Sequence, residues 1–214
     1  MTPKICTLAI GATLLALCTG CSTGGANSTA IPDPLESGFT PLTRLGEINV
    51  SGDIFSDVDK SGKSKPRVLG EIQKGNHRII AYVQEEACGL IAVPETNPQS
   101  SSVHLTVKWP ERSSEGSSKY SGGPYSLASA AGSDDLGSWA SLACSRNAMV
   151  IEYSSRAKAP STRPSGNVSA QDKAGSPPTL TMVIGSPAAR GELLKEVLAS
   201  SEPFAKRTNE HGWR

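Results

Sequence analysis

The stretch HRIIAYVQEEACGLIAV, residues 77–93, decides the fold. It holds two short apolar runs, HRIIAYV and CGLIAV, divided by the polar QEEA. A strand alternates its side chains between two faces, so Ile79, Ala81 and Val83 fall on one side and Ile80 and Tyr82 on the other. Both faces are apolar, which predicts a central strand with cover on each side. Upstream, RVLGEI at residues 67–72 is separated from this run by QKGN. Three runs spaced by such short polar turns predict an antiparallel meander.

The pattern continues outward from there. SVHLTVKW, residues 102–109, alternates cleanly, with Val103, Leu105, Val107 and Trp109 against His104, Thr106 and Lys108. That is a half-buried strand, ended by Pro110. WASLACS, the turn Arg146-Asn147 and AMVIEYS predict a further hairpin, and TLTMVI at residues 179–184 a last strand. Ser186-Pro187 offers an N-cap followed by a first-turn proline, and Leu193, Leu194, Val197 and Leu198 share one helical face. Gly191 weakens this helix and Pro203 stops it.

The expected class is therefore α+β: one mainly antiparallel β-sheet, a C-terminal amphipathic helix packed on it, and long flexible loops. Two loops interrupt the pattern. Residues 111–124 are rich in Ser and Gly, and residues 155–178 in Ser, Pro, Lys and Arg without apolar periodicity. The longer one is expected to be a disordered insertion, dispensable for folding, because it has little to bury against the cost of ordering it. The domain plan is a leader at 1–20, a flexible tether at 21–43, one β-rich domain at 44–205 and a tail at 206–214.

The leader and tether follow from LALCTGCSTGG, residues 15–25. Lys4 precedes an uncharged apolar run at residues 5–17, the length of a signal-peptide core and shorter than the roughly 20 residues of a spanning helix. Thr19 and Gly20 then put small residues before Cys21. This arrangement resembles the lipobox of bacterial lipoproteins over residues 1–21, although Cys18 stands where that family usually has Leu, Val or Ile. The resemblance implies a lipid anchor, palmitate among its acyl chains, on Cys21. It also implies a mature protein on the extracytoplasmic face of the cell membrane. The polar, proline-containing residues that follow read as a spacer.

With 21 basic and 20 acidic residues, nothing suggests a nucleic-acid partner. If Cys21 carries lipid, Cys88 and Cys144 remain as a pair in an oxidising compartment, and a disulfide between them is expected.

The search for chemistry returns little. DVDKSGKS places Asp57, Asp59 and Ser61 like the start of a calcium loop, but Val68 stands where the closing glutamate belongs, so the metal reading is weak. No G-x-S-x-G elbow or phosphate-binding glycine loop occurs, and the S-x-x-K at residues 155–158 lacks its companion motifs. His77 and His104 fall in predicted strands without zinc spacing. Arg156, Lys158, Arg163 and Lys173 give the long loop a positive excess that anionic envelope polymers could meet.

No catalytic residue and no cofactor is assigned. The expected role is a non-catalytic binding or interaction module of the envelope, with an unknown envelope partner and the membrane reached through Cys21. Two alternatives stand beside it. One is a carrier or sensor of an apolar small molecule held between sheet and helix. The other is an enzyme of unrecognised type, gathering His104 or Asp134 and Asp135 in a cleft.

Overall fold

A computed structural model of the chain describes residues 38–55, 64–97, 101–110, 120–134, 137–156, 161 and 163–200. The predicted meander forms as β1 (Arg67–Lys74), β2 (His77–Gln84), β3 (Ala87–Pro94) and β4 (Val103–Lys108). Then come β5 (Ser126–Ala131), the hairpin β6 (Trp139–Cys144) and β7 (Ala148–Ser154), β8 (Ser165–Gly166), β9 (Val168–Lys173), β10 (Thr179–Gly185) and α1 (Pro187–Ala199). Two-residue turns join β1 to β2 and β2 to β3. Gly75 and Glu85 open them in the left-handed region, at φ 60° and 52°.

The strands make two antiparallel sheets, ordered β4-β3-β2-β1-β8 and β5-β6-β7-β10-β9, not the single sheet expected. They face each other across one apolar core. Leu69, Ile72, Ile79, Ala81, Leu90 and Leu105 from the first sheet meet Leu142, Met149, Ile151, Leu180, Met182 and Ile184 from the second. The expected central strand, β2, is the middle of its sheet. Its second apolar face, Ile80 and Tyr82, lies with Val68, Ile91 and Val93 under Ile54, Ile48, Val50 and Phe55. Residues 46–55 thus form a strap over the outer face of the first sheet, joined to it through Ile48 N donating to Val68 O.

The outer face of the second sheet takes the helix. Ala189, Leu193 and Val197 pack on Ala143, Ala148, Val150 and Val183, with Phe39, Tyr120 and Tyr125 completing the layer. A Cβ on Gly185 would stand 3.0 Å from the Ala189 Cβ, so helix and sheet approach closely. The predicted cap is present, with Ser186 Oγ accepting from Ala189 N. Ser121 N donates to Glu196 Oε2 and Ser121 Oγ lies within hydrogen-bond distance of both Glu192 and Glu196, tying the helix to the segment before β5.

Two further expectations need correction. Residues 38–43, assigned to the tether, belong partly to the folded body: Phe39 and Leu42 are buried, and Leu42 N donates to Arg146 O. Leu42–Arg44 forms a 3-10 turn, and Arg67 donates to the carbonyls of Thr43 and Leu45. Spaced three apart, Phe39, Leu42 and Leu45 carried a signal hidden by the prolines around them. The insertion at 155–178 is also not wholly disordered. Val168–Lys173 is β9, paired to β10 along its length, and Ser165–Gly166 pairs with β1. An edge strand needs apolar residues on one face alone, and Val168 and Ala170 supply it. Gly70 admits Val168, whose Cγ2 would lie 2.0 Å from a Cβ at that position.

Candidate functional site

At one end of the sandwich the core-facing rows of several strands end in polar side chains. On β1 the inward row runs through Ile72 to Lys74, and on β2 it begins with His77 ahead of Ile79. On β9 the row Val168, Ala170 reaches Asp172 two residues on, and on β7 Met149 and Ile151 lead to Tyr153. The two-residue period of each strand therefore carries Lys74 and His77 toward Asp172 and Tyr153 across the sheets.

The result is two polar clasps. Lys74, 2% exposed, brings Nζ to within 2.6 Å of Asp172 Oδ1. Asp172 Oδ2 accepts from both the backbone N and the Oγ of Ser161. Burial pushes the Asp172 carboxyl up, but the bonds from Lys74 and Ser161 outweigh it and leave the pKa lowered. In the second clasp, His77, 1% exposed, places Nε2 at 3.1 Å from Asp134 Oδ2. The same oxygen accepts from Ser138 Oγ, while Ser138 N donates to Asp134 Oδ1 at 3.0 Å. Ser138 Oγ lies 2.9 Å from the Tyr153 hydroxyl, whose pKa burial pushes up to about 12 against a lowering by Ser138, with the Asp134 charge adding to the rise.

A Ser, a His and an Asp are thus together, but in an order that does not activate the serine. Nucleophilic catalysis needs the hydroxyl bonded to an imidazole nitrogen that can take its proton. Here both Ser138 Oγ and His77 Nε2 address one carboxylate oxygen, and His77 Nδ1 is buried without a hydrogen-bond partner. The arrangement can orient and hold. It binds the first sheet to the loop and strands of the second.

The other sequence-derived residues lie elsewhere. His104 is exposed on the outer face of the first sheet, its Nε2 2.9 Å from the Tyr82 hydroxyl, with Thr106 Oγ1 3.2 Å from that hydroxyl. Tyr82 lies across Gly89 and meets the Phe55 ring edge-on at 5.2 Å, and its pKa is raised by burial, less a lowering by Thr106. On the same face a cleft of about 380 Å³ is lined by Ser51, Gly52, Glu71, Gln73, Arg78 and Glu95. Arg78 already donates there to Glu71 and to Ser51 O.

Asp134 joins His77 rather than His104, and Asp135 lies outside the described residues. Cys21, Asp57, Asp59 and Ser61 also lie outside them. Cys88 and Cys144 stand at disulfide distance, with Cα atoms 6.0 Å apart, linking β3 of the first sheet to β6 of the second. Among the described residues no group of three or more His, Cys, Asp or Glu could hold a metal ion. Lys74, Ser138, Tyr153 and Asp172 were not singled out from the sequence. Continuing the two-residue periods of β1 and β7 finds Lys74 and Tyr153, whereas Asp172 lies on β9, whose sequence shows no such period, and Ser138 precedes its strand.

No family model, curated protein or solved structure matches the chain.

Proposed function

We propose that the protein is a lipid-anchored component of the cell envelope, held on the extracytoplasmic face through Cys21, whose β-sandwich is a non-catalytic binding or interaction module. One observation carries the non-catalytic part: Ser138 and His77 address a single oxygen of Asp134, so the imidazole does not face the hydroxyl and instead ties the first sheet to the loop before β6. The placement of Cys88 and Cys144 supports an oxidising compartment, where such a pair is bonded. The layer between sheet and helix is occupied by Ala189, Leu193, Val197, Phe39 and Tyr125, which weighs against an apolar ligand there.

The test has two parts. Palmitate labelling and membrane fractionation of the parent and Cys21→Ala proteins should show label and retention in the parent alone. Purified protein should be inert toward a panel of ester and amide substrates. A hydrolytic activity removed by Ser138→Ala, with circular dichroism unchanged, would replace this reading with an enzymatic one.

A further inference from the structure

We infer that the cleft on the outer face of the first sheet binds a saccharide, holding neighbouring hydroxyls of one sugar ring. This inference rests on the reading of the domain as a non-catalytic binding module and adds to it the site and the ligand class.

The cleft lies where the apolar cover of the strap ends. Under the strap the outward rows of β1 to β3 are apolar, with Val68, Ile80, Tyr82, Ile91 and Val93. Toward the β1–β2 turn the same rows continue as Glu71 and Gln73 on β1, Arg78 on β2 and Glu95 just past β3. Gly52, at φ 89°, turns the strap through the left-handed region open to glycine, and Ser51 and Gly52 line the strap side. The space between is about 380 Å³, within the range of about 300–1,000 Å³ usual for small-molecule sites. The described residues flanking 56–63 stand toward the other end of β2, Phe55 on Tyr82 and Ser64 bonded to Gln84.

The polar groups of the cleft are held before any ligand arrives. Arg78 Nε donates to Glu71 Oε1 at 2.6 Å and Nη1 to Ser51 O at 2.9 Å. Gln73 Nε2 donates to Glu95 Oε2 at 2.9 Å, and Glu95 N donates to Asn76 O. Among the described residues Glu71 Oε2 and Glu95 Oε1 accept no hydrogen bond, and Arg78 Nη2 donates none. The lining thus keeps two acceptor oxygens and one donor nitrogen unspent.

That hydrogen-bond pattern, rather than net charge, selects the ligand. An ammonium would satisfy the carboxylates but meet the guanidinium, and a carboxylate or phosphate would satisfy the guanidinium but meet Glu71 and Glu95. A hydroxyl does both, donating to a carboxylate oxygen and accepting from Arg78. Two adjacent hydroxyls on a rigid ring use both acceptors and the donor between them while losing little ligand entropy.

The test titrates full-length protein, in a detergent without sugar, with methyl glucoside, methyl galactoside and methyl mannoside, read by saturation-transfer NMR. Tetrahydropyran, the ring without hydroxyls, and ethylamine are the comparisons. At least one glycoside should bind saturably with a Kd of about 1 mM, about tenfold more tightly than either comparison. Glu95→Ala, at an exposed position, and Arg78→Lys should each weaken that binding about tenfold with circular dichroism unchanged. No saturable binding of any glycoside, equal binding of ethylamine, or an unchanged Kd in Glu95→Ala overturns the saccharide site and leaves the binding-module reading standing. Release of methanol from a glycoside, lost in Glu71→Gln, overturns the non-catalytic reading and this inference with it.

Discussion

The ammonium of Lys74 at the end of β1 reaches the carboxylate of Asp172 on β9 at 2.6 Å, so a cation from one sheet is neutralised by an anion from the other. Lys74 is the more deeply buried partner, and losing Asp172 would leave it enclosed without a counter-charge. Asp172→Asn should cost about 2 kcal/mol, below the 3–5 kcal/mol typical of a broken buried pair because Asp172 is partly open to water. Lys74→Met should cost less, since it removes the buried charge. Urea unfolding of the two variants checks the order.

The same pair sets an acid limb. A carboxyl whose folded pKa lies below its unfolded value of about 3.9 adds stability above that value, and the contribution is lost as pH falls through the folded pKa. Asp172 is shifted in that direction. The melting temperature of the parent should therefore fall below about pH 4 more steeply than that of Asp172→Asn. Equal slopes would show that this carboxyl is not held by Lys74 and Ser161 in solution.

Cys88 and Cys144 enclose a sequence separation of 56 and fasten the two sheets at the end opposite the clasps. In the chain-entropy model such a bridge contributes about 4 kcal/mol, and the observed loss on removal should fall between about 2 and 5 kcal/mol. Thermal unfolding of the Cys88→Ser, Cys144→Ser protein beside the parent measures it. Reductant should lower the melting point of the parent and leave that of the variant unchanged.

Gly89 lies beneath the Tyr82 ring, whose nearest atom would stand 1.9 Å from a new Cβ. The ring cannot slide away freely, because Phe55 abuts it and its hydroxyl is bonded to His104 and Thr106. Gly89→Ala should destabilise the protein by about 1–3 kcal/mol through overpacking. Gly89→Ala combined with Tyr82→Leu should recover part of that loss, which a thermal-shift comparison would reveal.

Replacing residues 155–178 by a short Gly/Ser connector would remove β8 and β9. The edge of β10 would then lie open, Val168 would leave the core and Lys74 would lose Asp172. The melting temperature should drop by many degrees, with aggregation through the uncovered edge. Retention of the parent's melting point would mean that β9 contributes nothing to the folded state.

The residues themselves determined the strands with strong two-residue periods. The meander of β1 to β4, the β6–β7 hairpin, β10 and the capped helix are local patterns of apolar side chains and turn residues, readable without knowing what lies opposite. Pairing Cys88 with Cys144 needed only a count of the cysteines and an oxidising compartment. Strand period also says that a face is buried, but not by what. Whether the second apolar face of β2 met another sheet, a helix or the strap at 46–55 depended on contacts between segments distant in sequence. That is why one sheet was expected where two exist. Small-residue β5 and edge strand β9 bury too little alone to declare themselves, and they become strands because β6 and β10 offer paired backbones. The clasp is tertiary for the same reason: Lys74, His77, Asp134, Ser138, Tyr153 and Asp172 come from four separate stretches of chain. Asp134 receives Ser138 from within its own loop, and only the facing of the sheets brings His77 to the same carboxylate.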